Sequence, residues 1–170
     1  LVAMALANAE PEPTITLPAI DTSIEFAADQ KRRELNEPIR YAVPRKVANI
    51  GVDGMTAKSG AWTEAGNGTL RWQARVRASG ASSIDLGFSE FWLPQGAALT
   101  VSDVSAKVQH GPYTDRHNRS HRQLWTPVVP GEEALIELTV PATLAKFVRL
   151  ELSQINHGYR FFNDAAVAKA

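Results

Sequence analysis

From Ile39 onward, apolar and polar residues alternate in this chain with a period of two. The cleanest run has Leu70, Trp72, Ala74 and Val76 interleaved with Arg71, Gln73, Arg75 and Arg77, the pattern of a strand with one face in a core and the other in water. Asn67-Gly68 just before it is a tight-turn pair, so a hairpin with the segment around Trp62 is expected. Ile84, Leu86 and Phe88 share one phase, but Phe91 and Leu93 fall out of it; a bulge near Ser89-Glu90 is the simplest repair. Leu99 and Val101 open another strand after the Pro94-Gln95-Gly96 turn. Residues 107–121 are polar and rich in turn formers and read as a long loop. Leu124 to Val129 reads as a strand broken by Pro127, which belongs at an edge or a sheet end. Ala134, Ile136, Leu138 and Val140 alternate after Pro130-Gly131, and Val148, Leu150 and Leu152 mark the last strand.

Upstream the pattern differs. Residues 10–20 carry Pro11, Pro13 and Pro18, which deny this leader a helix or an interior strand. Thr22-Ser23-Ile24-Glu25 fits a capping box with Thr22 at the N-cap. The helix it opens runs to about Leu35, with Ile24, Ala27, Ala28, Lys31 and Leu35 on one side, and Pro38 ends it. One short helix followed by six or seven short strands punctuated by Gly and Pro predicts the all-β class: an antiparallel β-sandwich, jelly-roll-like, with one short N-terminal helix. The expected division is a leader plus helix over 10–38, a sandwich over 39–161 and a junction over 162–170.

Composition narrows the function classes. At 170 residues the chain suits one domain that can bury a core without staples. With 18 Lys+Arg against 18 Asp+Glu it lacks the basic excess of a nucleic-acid binder. No segment approaches the roughly 20 apolar residues that cross a bilayer as a helix, so neither nucleic acid nor membrane is an expected partner, and the domain is expected to be a monomer. The absence of cysteine excludes disulfides, thiolate metal sites and a Cys nucleophile. Residues 1–9 are apolar and end in Asn8-Ala9 after Ala7. This Ala-x-Ala reads as the tail of a secretory signal peptide with cleavage after Ala9, against the plainer alternative of a frayed terminus. The expected location is therefore secreted or periplasmic.

Catalytic chemistry finds little support. His117 and His121 would share a face on a helix and could hold a metal, but Asn118-Arg119-Ser120 between them argues for a loop, where that spacing carries no geometric meaning. His110 reads as a lone loop residue, and His157, in Asn156-His157-Gly158-Tyr159, reads as a turn residue after the last strand. No Gly-x-Ser-x-Gly is present, the carboxylates are scattered, and no Gly-rich loop could cradle phosphate. No cofactor is expected. Trp62, Trp72, Trp92 and Trp125 raise the alternative of a sugar platform, although Trp72 is in phase with the core and Trp125 could face either way. The Arg71, Arg75 and Arg77 row is either the solvated side of a sheet or a contact for an acidic partner surface.

The run Arg122-Gln123-Leu124-Trp125-Thr126-Pro127-Val128-Val129-Pro130-Gly131-Glu132-Glu133-Ala134 resembles the propeptide region of secreted bacterial lysyl endopeptidases. So do Ser59-Gly60-Ala61-Trp62, Trp72-Gln73-Ala74-Arg75-Val76-Arg77, Asp85-Leu86-Gly87-Phe88 and Asn156-His157-Gly158-Tyr159, in the same order, and the likeness spans about Leu17 to Phe161. In that family the region follows a signal peptide and precedes a trypsin-like serine protease domain, whose catalytic residues have no positions in this chain. The resemblance implies a non-catalytic domain that helps its protease partner fold and keeps it inactive. A stand-alone carbohydrate or cell-surface binding sandwich is the alternative. Lys169, in the tail Asn163 to Ala170, would be a self-processing site for a Lys-specific enzyme, or else an incidental lysine.

Overall fold

The alternating segments close into two facing sheets, as expected. The computed structural model describes residues 14–160. In chain order the elements are β1 (Ile15–Leu17), α1 (Thr22–Glu34), β2 (Ala42–Asp53), β3 (Thr56–Ala57), β4 (Thr63–Glu64), β5 (Thr69–Ala78), β6 (Ser83–Trp92), β7 (Ala98–Ser102), β8 (Gln109–Tyr113), β9 (Leu124–Trp125), β10 (Val129–Pro130), β11 (Glu133–Pro141) and β12 (Arg149–Gly158). Short 3-10 turns span Asp115–His117 and Ala142–Phe147. One sheet has the order β1-β5-β11-β7-β8 with β4 also on β5; the other has β10-β6-β12-β2-β3 with β9 also on β6. The chain passes from one sheet to the other between β5 and β6, β6 and β7, and β11 and β12, the crossing habit of jelly-roll connections.

The core lies between the sheets because the alternation places one residue in two there. On β5, Trp72, Ala74, Val76 and Ala78 are buried, facing Leu138, Ile136 and Ala134 of β11 in register. Ala74 sits opposite Ile136 and Ala134 opposite Val76, while Trp72 and Leu138 meet as two large side chains. Ile84, Leu86, Phe88 and Phe91 of β6 and Leu150, Leu152 and Ile155 of β12 close the same cluster from the other sheet. The bulge is where the phase slip requires it: β12 pairs Glu151 with Glu90 but Leu152 with Phe88, leaving Ser89 as the extra residue, so that Phe88 and Phe91 both face inward. The Asn67-Gly68 hairpin also forms. Both residues have positive φ, Thr69 N–H donates to the Gly66 carbonyl at 3.0 Å, and β4 pairs Thr63 with Arg71.

Four expectations about local structure need correction. Residues 107–121 are not one loop, since β8 within them pairs antiparallel with β7, with His110 opposite Val101. The N-cap of α1 is Asp21 rather than Thr22; its Oδ1 accepts from Ser23 N–H at 3.0 Å, which satisfies one of the orphan donors of the first turn. The helix ends in a Schellman arrangement before Pro38 is reached. Asn36, at φ 55°, sits at the left-handed position, with Glu37 N–H on the Arg32 carbonyl and Asn36 N–H on the Arg33 carbonyl. The fourth correction concerns which face of α1 is buried.

Candidate functional site

Helix α1 docks by its polar side. Asp29 is its one buried residue, whereas Ile24 and Leu35 are 64% and 61% exposed. At 100° per residue, Glu25, Phe26 and Asp29 share one face, and Ile24, Ala27, Lys31 and Leu35 share the opposite one. The expected apolar face therefore points outward. The docking contact is a polar clasp between α1 and the place where β12 ends beside the entry to β2. Arg160 Nη2 and Nε donate to Asp29 Oδ2 at 2.7 and 3.2 Å, and Tyr159 Oη donates to the same oxygen at 2.7 Å. Arg40 adds its backbone N–H to Asp29 Oδ1 at 3.4 Å and its guanidinium to Glu25 at 2.8 Å. Phe26 packs edge-on against Tyr159 and lies under the Arg160 guanidinium. Burial works to raise the Asp29 pKa, but the hydrogen bonds from Arg160, Tyr159 and Arg40 N–H outweigh it and hold the carboxyl below its ordinary value. Burial, and then Asp29, push the Tyr159 phenol up to about 12.

The arginine row on β5 is matched by acids of the neighbouring β11 and by Glu132 just before it. Arg75 Nη2 lies 2.5 Å from Glu133 Oε2, Arg77 Nη2 lies 3.4 Å from Glu132 Oε2, and Arg71 Nε lies 3.8 Å from Glu137 Oε1. Gln73 also donates to Glu137 at 2.7 Å. These cross-strand neighbours turn the row into alternating charge rather than a basic face. Exposed pairs of this kind are worth about 0–1 kcal/mol each. Arg75–Glu133, with both side chains mostly covered, is the tightest of them.

The outer face of the other sheet carries two of the tryptophans. Trp125 is 53% exposed and lies flat against Gly87, where an added Cβ would stand 2.4 Å from its ring. Trp92 is 40% exposed and holds the Arg122 guanidinium 5.7 Å from its ring centre. Trp72 is core, its indole N–H on the Ser59 carbonyl at 2.7 Å, and Trp62 is half-buried with its N–H on the Gly54 carbonyl. Beside Trp92 a shallow cavity of roughly 330 Å³ is lined by charged groups that pair among themselves, Arg149 with Asp53, Arg122 with Glu90 and Lys58 with Glu151. Further along the same face Asp85 accepts from Asn156 at 2.7 Å and Tyr41 at 3.2 Å. Burial raises its pKa, which these hydrogen bonds offset only in part.

The histidines are dispersed. His117 Nδ1 accepts from Thr114 N–H and His121 Nδ1 from Gln123 N–H, each closing its own turn at 3.0 Å. His110 lies in β8 rather than in a loop, its Nε2 2.7 Å from the Val128 carbonyl. His157 is a buried strand residue of β12, not a turn residue. Its Nδ1 is 3.4 Å from Arg45, and burial followed by that charge lowers its pKa. His157 pairs with core-facing Ile84, whereas Asp85 faces Asn156 on the other side of the sheet. The strand alternation therefore keeps His157 apart from Ser83 and Asp85, which share the outer face. Among the described residues no three His, Asp or Glu side chains group as metal ligands would, and no helix is long and apolar enough to cross a membrane.

Ala9 and Lys169, the expected processing positions, lie outside the described residues. The clasp was not foreseen; Asp29 and Arg160 are 131 residues apart and only the closed fold joins them. The sole sequence hint is an acid set among apolar neighbours in Phe26-Ala27-Ala28-Asp29. Set beside known families, residues 16–159, from β1 through the clasp residue Tyr159, match the model of the lysyl endopeptidase N-terminal domain. That span holds both sheets and the core between them, and the chain belongs to this family of protease N-terminal domains.

Proposed function

We propose that this domain is the pro-region of a secreted lysyl endopeptidase-type serine protease, that it catalyses nothing itself, and that it assists the folding of its protease partner and inhibits it until released. The observation that carries the reading is the family match across the whole sandwich, joined to a single core shared by both sheets. A body held together in this way can act as a template. Trypsin-like domains are rich in non-local strand pairing and fold slowly. A partner that binds only their native-like surface stabilises it by mass action, and a tether raises its effective concentration. On this reading the signal-peptide remnant, residues 1–9, is removed after Ala9, Lys169 lies at a junction open to Lys-specific cleavage, and the Arg71, Arg75 and Arg77 row is a secondary contact whose charges would have to exchange partners.

The test is refolding in trans. A denatured lysyl endopeptidase catalytic domain of matching origin, diluted with and without this chain, is expected to recover activity only with it, and excess chain is expected to suppress that activity. Equal recovery in both samples would contradict the folding role. A second reading, a sugar-binding sandwich, draws on exposed Trp92 and Trp125 on one face. It requires oligosaccharide to change the tryptophan fluorescence of the chain, with the change lost in Trp92→Ala.

A further inference from the structure

An endopeptidase draws its substrate out as an extended strand, so a folded domain is cut only where it is exposed and opens locally. On the pro-region reading the partner of this chain attacks lysyl bonds, and five lysines fall among the described residues. Four of them are engaged. The Lys31 carbonyl accepts Leu35 N–H at 3.2 Å at the end of α1, two residues from the buried Asp29–Arg160 pair. Lys46 is paired with Gln154 in the β2–β12 ladder. Lys58 N–H donates to the Gly51 carbonyl at 2.9 Å while its ammonium pairs with Glu151, and Arg149 donates to the Lys146 carbonyl at 3.0 Å.

Lys107 differs. It ends the exposed run Val104-Ser105-Ala106-Lys107 between β7 and β8, outside any helix or strand. Asp103 holds this connection closed: its Oδ1 accepts from Val108 N–H at 2.8 Å, its Oδ2 from the Ser105 hydroxyl, and its carbonyl from Ala106 N–H at 3.0 Å. No residue of 103–108 is buried and β8 is an edge strand, so opening the loop breaks local bonds and leaves the core alone. A cut there nevertheless divides the core. Strands β1–β7 would belong to one fragment and β8–β12 to the other, yet β11 lies between β5 and β7, and β12 between β6 and β2. Without the covalent link the fragments lose an effective concentration of about millimolar, and the sandwich becomes stable only in proportion to their free concentrations. Resting on the pro-region reading, we infer that Lys107–Val108 is the internal bond at which the protease partner inactivates this domain. Water adds across the amide, leaving a carboxylate on Lys107 and an ammonium on Val108, and the separated halves no longer inhibit.

The experiment mixes the full chain with about a twofold excess of active lysyl endopeptidase of matching origin, so that free enzyme is always present. New N-termini within residues 14–160 are identified by mass spectrometry and sequencing while peptide hydrolysis is followed. Val108 is expected as the first new terminus, and the inhibited activity is expected to return at the rate at which Val108 appears. Lys107→Arg keeps the charge and the wild-type melting temperature, and is expected to slow both events at least tenfold. Asp103→Ala, which loosens the loop, is expected to speed both about tenfold, because cutting tracks the open population. A first cut at any other described lysine, or none, overturns the site while the pro-region reading stands. Inhibition that outlasts the cut overturns the inactivating role. A cut at Lys107 by an enzyme that was never inhibited overturns the pro-region reading and leaves only the site.

Discussion

Gly51→Ala is expected to destabilise the sandwich by about 3–5 kcal/mol, the sum of a strained backbone and a clash that cannot relax. Gly51 lies in β2 opposite Glu151 of β12, at φ 151°, and a Cβ there would stand 2.0 Å from the Leu150 carbonyl oxygen. The obstacle is backbone in the central strand of the sheet, so no rotamer change can make room. Relief requires opening the β2–β12 ladder, which would expose Ile50 and Leu152 from the core. Thermal denaturation should show Tm lower by roughly 10 °C or more. A change under 2 °C would mean that β2 can shift away from β12 at little cost, and that the core is less tightly registered than described. Gly66, with nothing near its would-be Cβ but φ 83°, provides the contrast. Alanine there carries the backbone strain alone, and a smaller loss is expected.

Asp29→Ala is expected to release α1 from the sandwich. Removing one member of a buried ion pair costs about 3–5 kcal/mol when the other stays buried, and among the described residues Arg160 would keep only the Arg40 carbonyl as acceptor, at 3.2 Å. The chain has a cheaper outlet, because α1 buries no apolar residue of its own: the helix undocks and Arg160 is hydrated. Native-state hydrogen exchange should therefore show loss of protection in residues 22–34 far exceeding any loss in β5, β6, β11 and β12. Acid should do the same. The folded Asp29 pKa is depressed below 3.8, so its contribution is complete above that value and is lost as pH falls through the folded pKa. Helix docking is thus expected to be constant at neutral pH and to fail only below about pH 4. Uniform loss of protection across helix and sheets would show instead that α1 is integral to the core.

Strands that are buried on one face along their length were legible in the sequence. β5 and β11 alternate without interruption because every second residue meets the same core, and the slip between Phe88 and Phe91 announced the Ser89 bulge. β2 was not singled out, for a physical reason. Its first half is an edge with no partner beyond β12 among the described residues, and residues 47–49, including Asn49 at φ 60°, bulge against the single residue Ser153, so no unbroken period of two runs its length. β8 was hidden because Gly111 and Pro112 are turn formers by local preference, and only the β7 edge makes them a strand. The orientation of α1 was misread for a related reason. An Ile/Ala/Leu row normally faces a core, and the charge that reverses it, Arg160, arrives from the far end of the chain.

On the proposed function, a surface does the work that a reactive side chain does elsewhere. The most direct measurement is a titration of active lysyl endopeptidase of matching origin with this chain, following peptide hydrolysis and heat together. The predicted result is a 1:1 complex whose formation removes activity in proportion to the chain added. Unchanged hydrolysis with no heat of binding at micromolar concentrations of both proteins would contradict it.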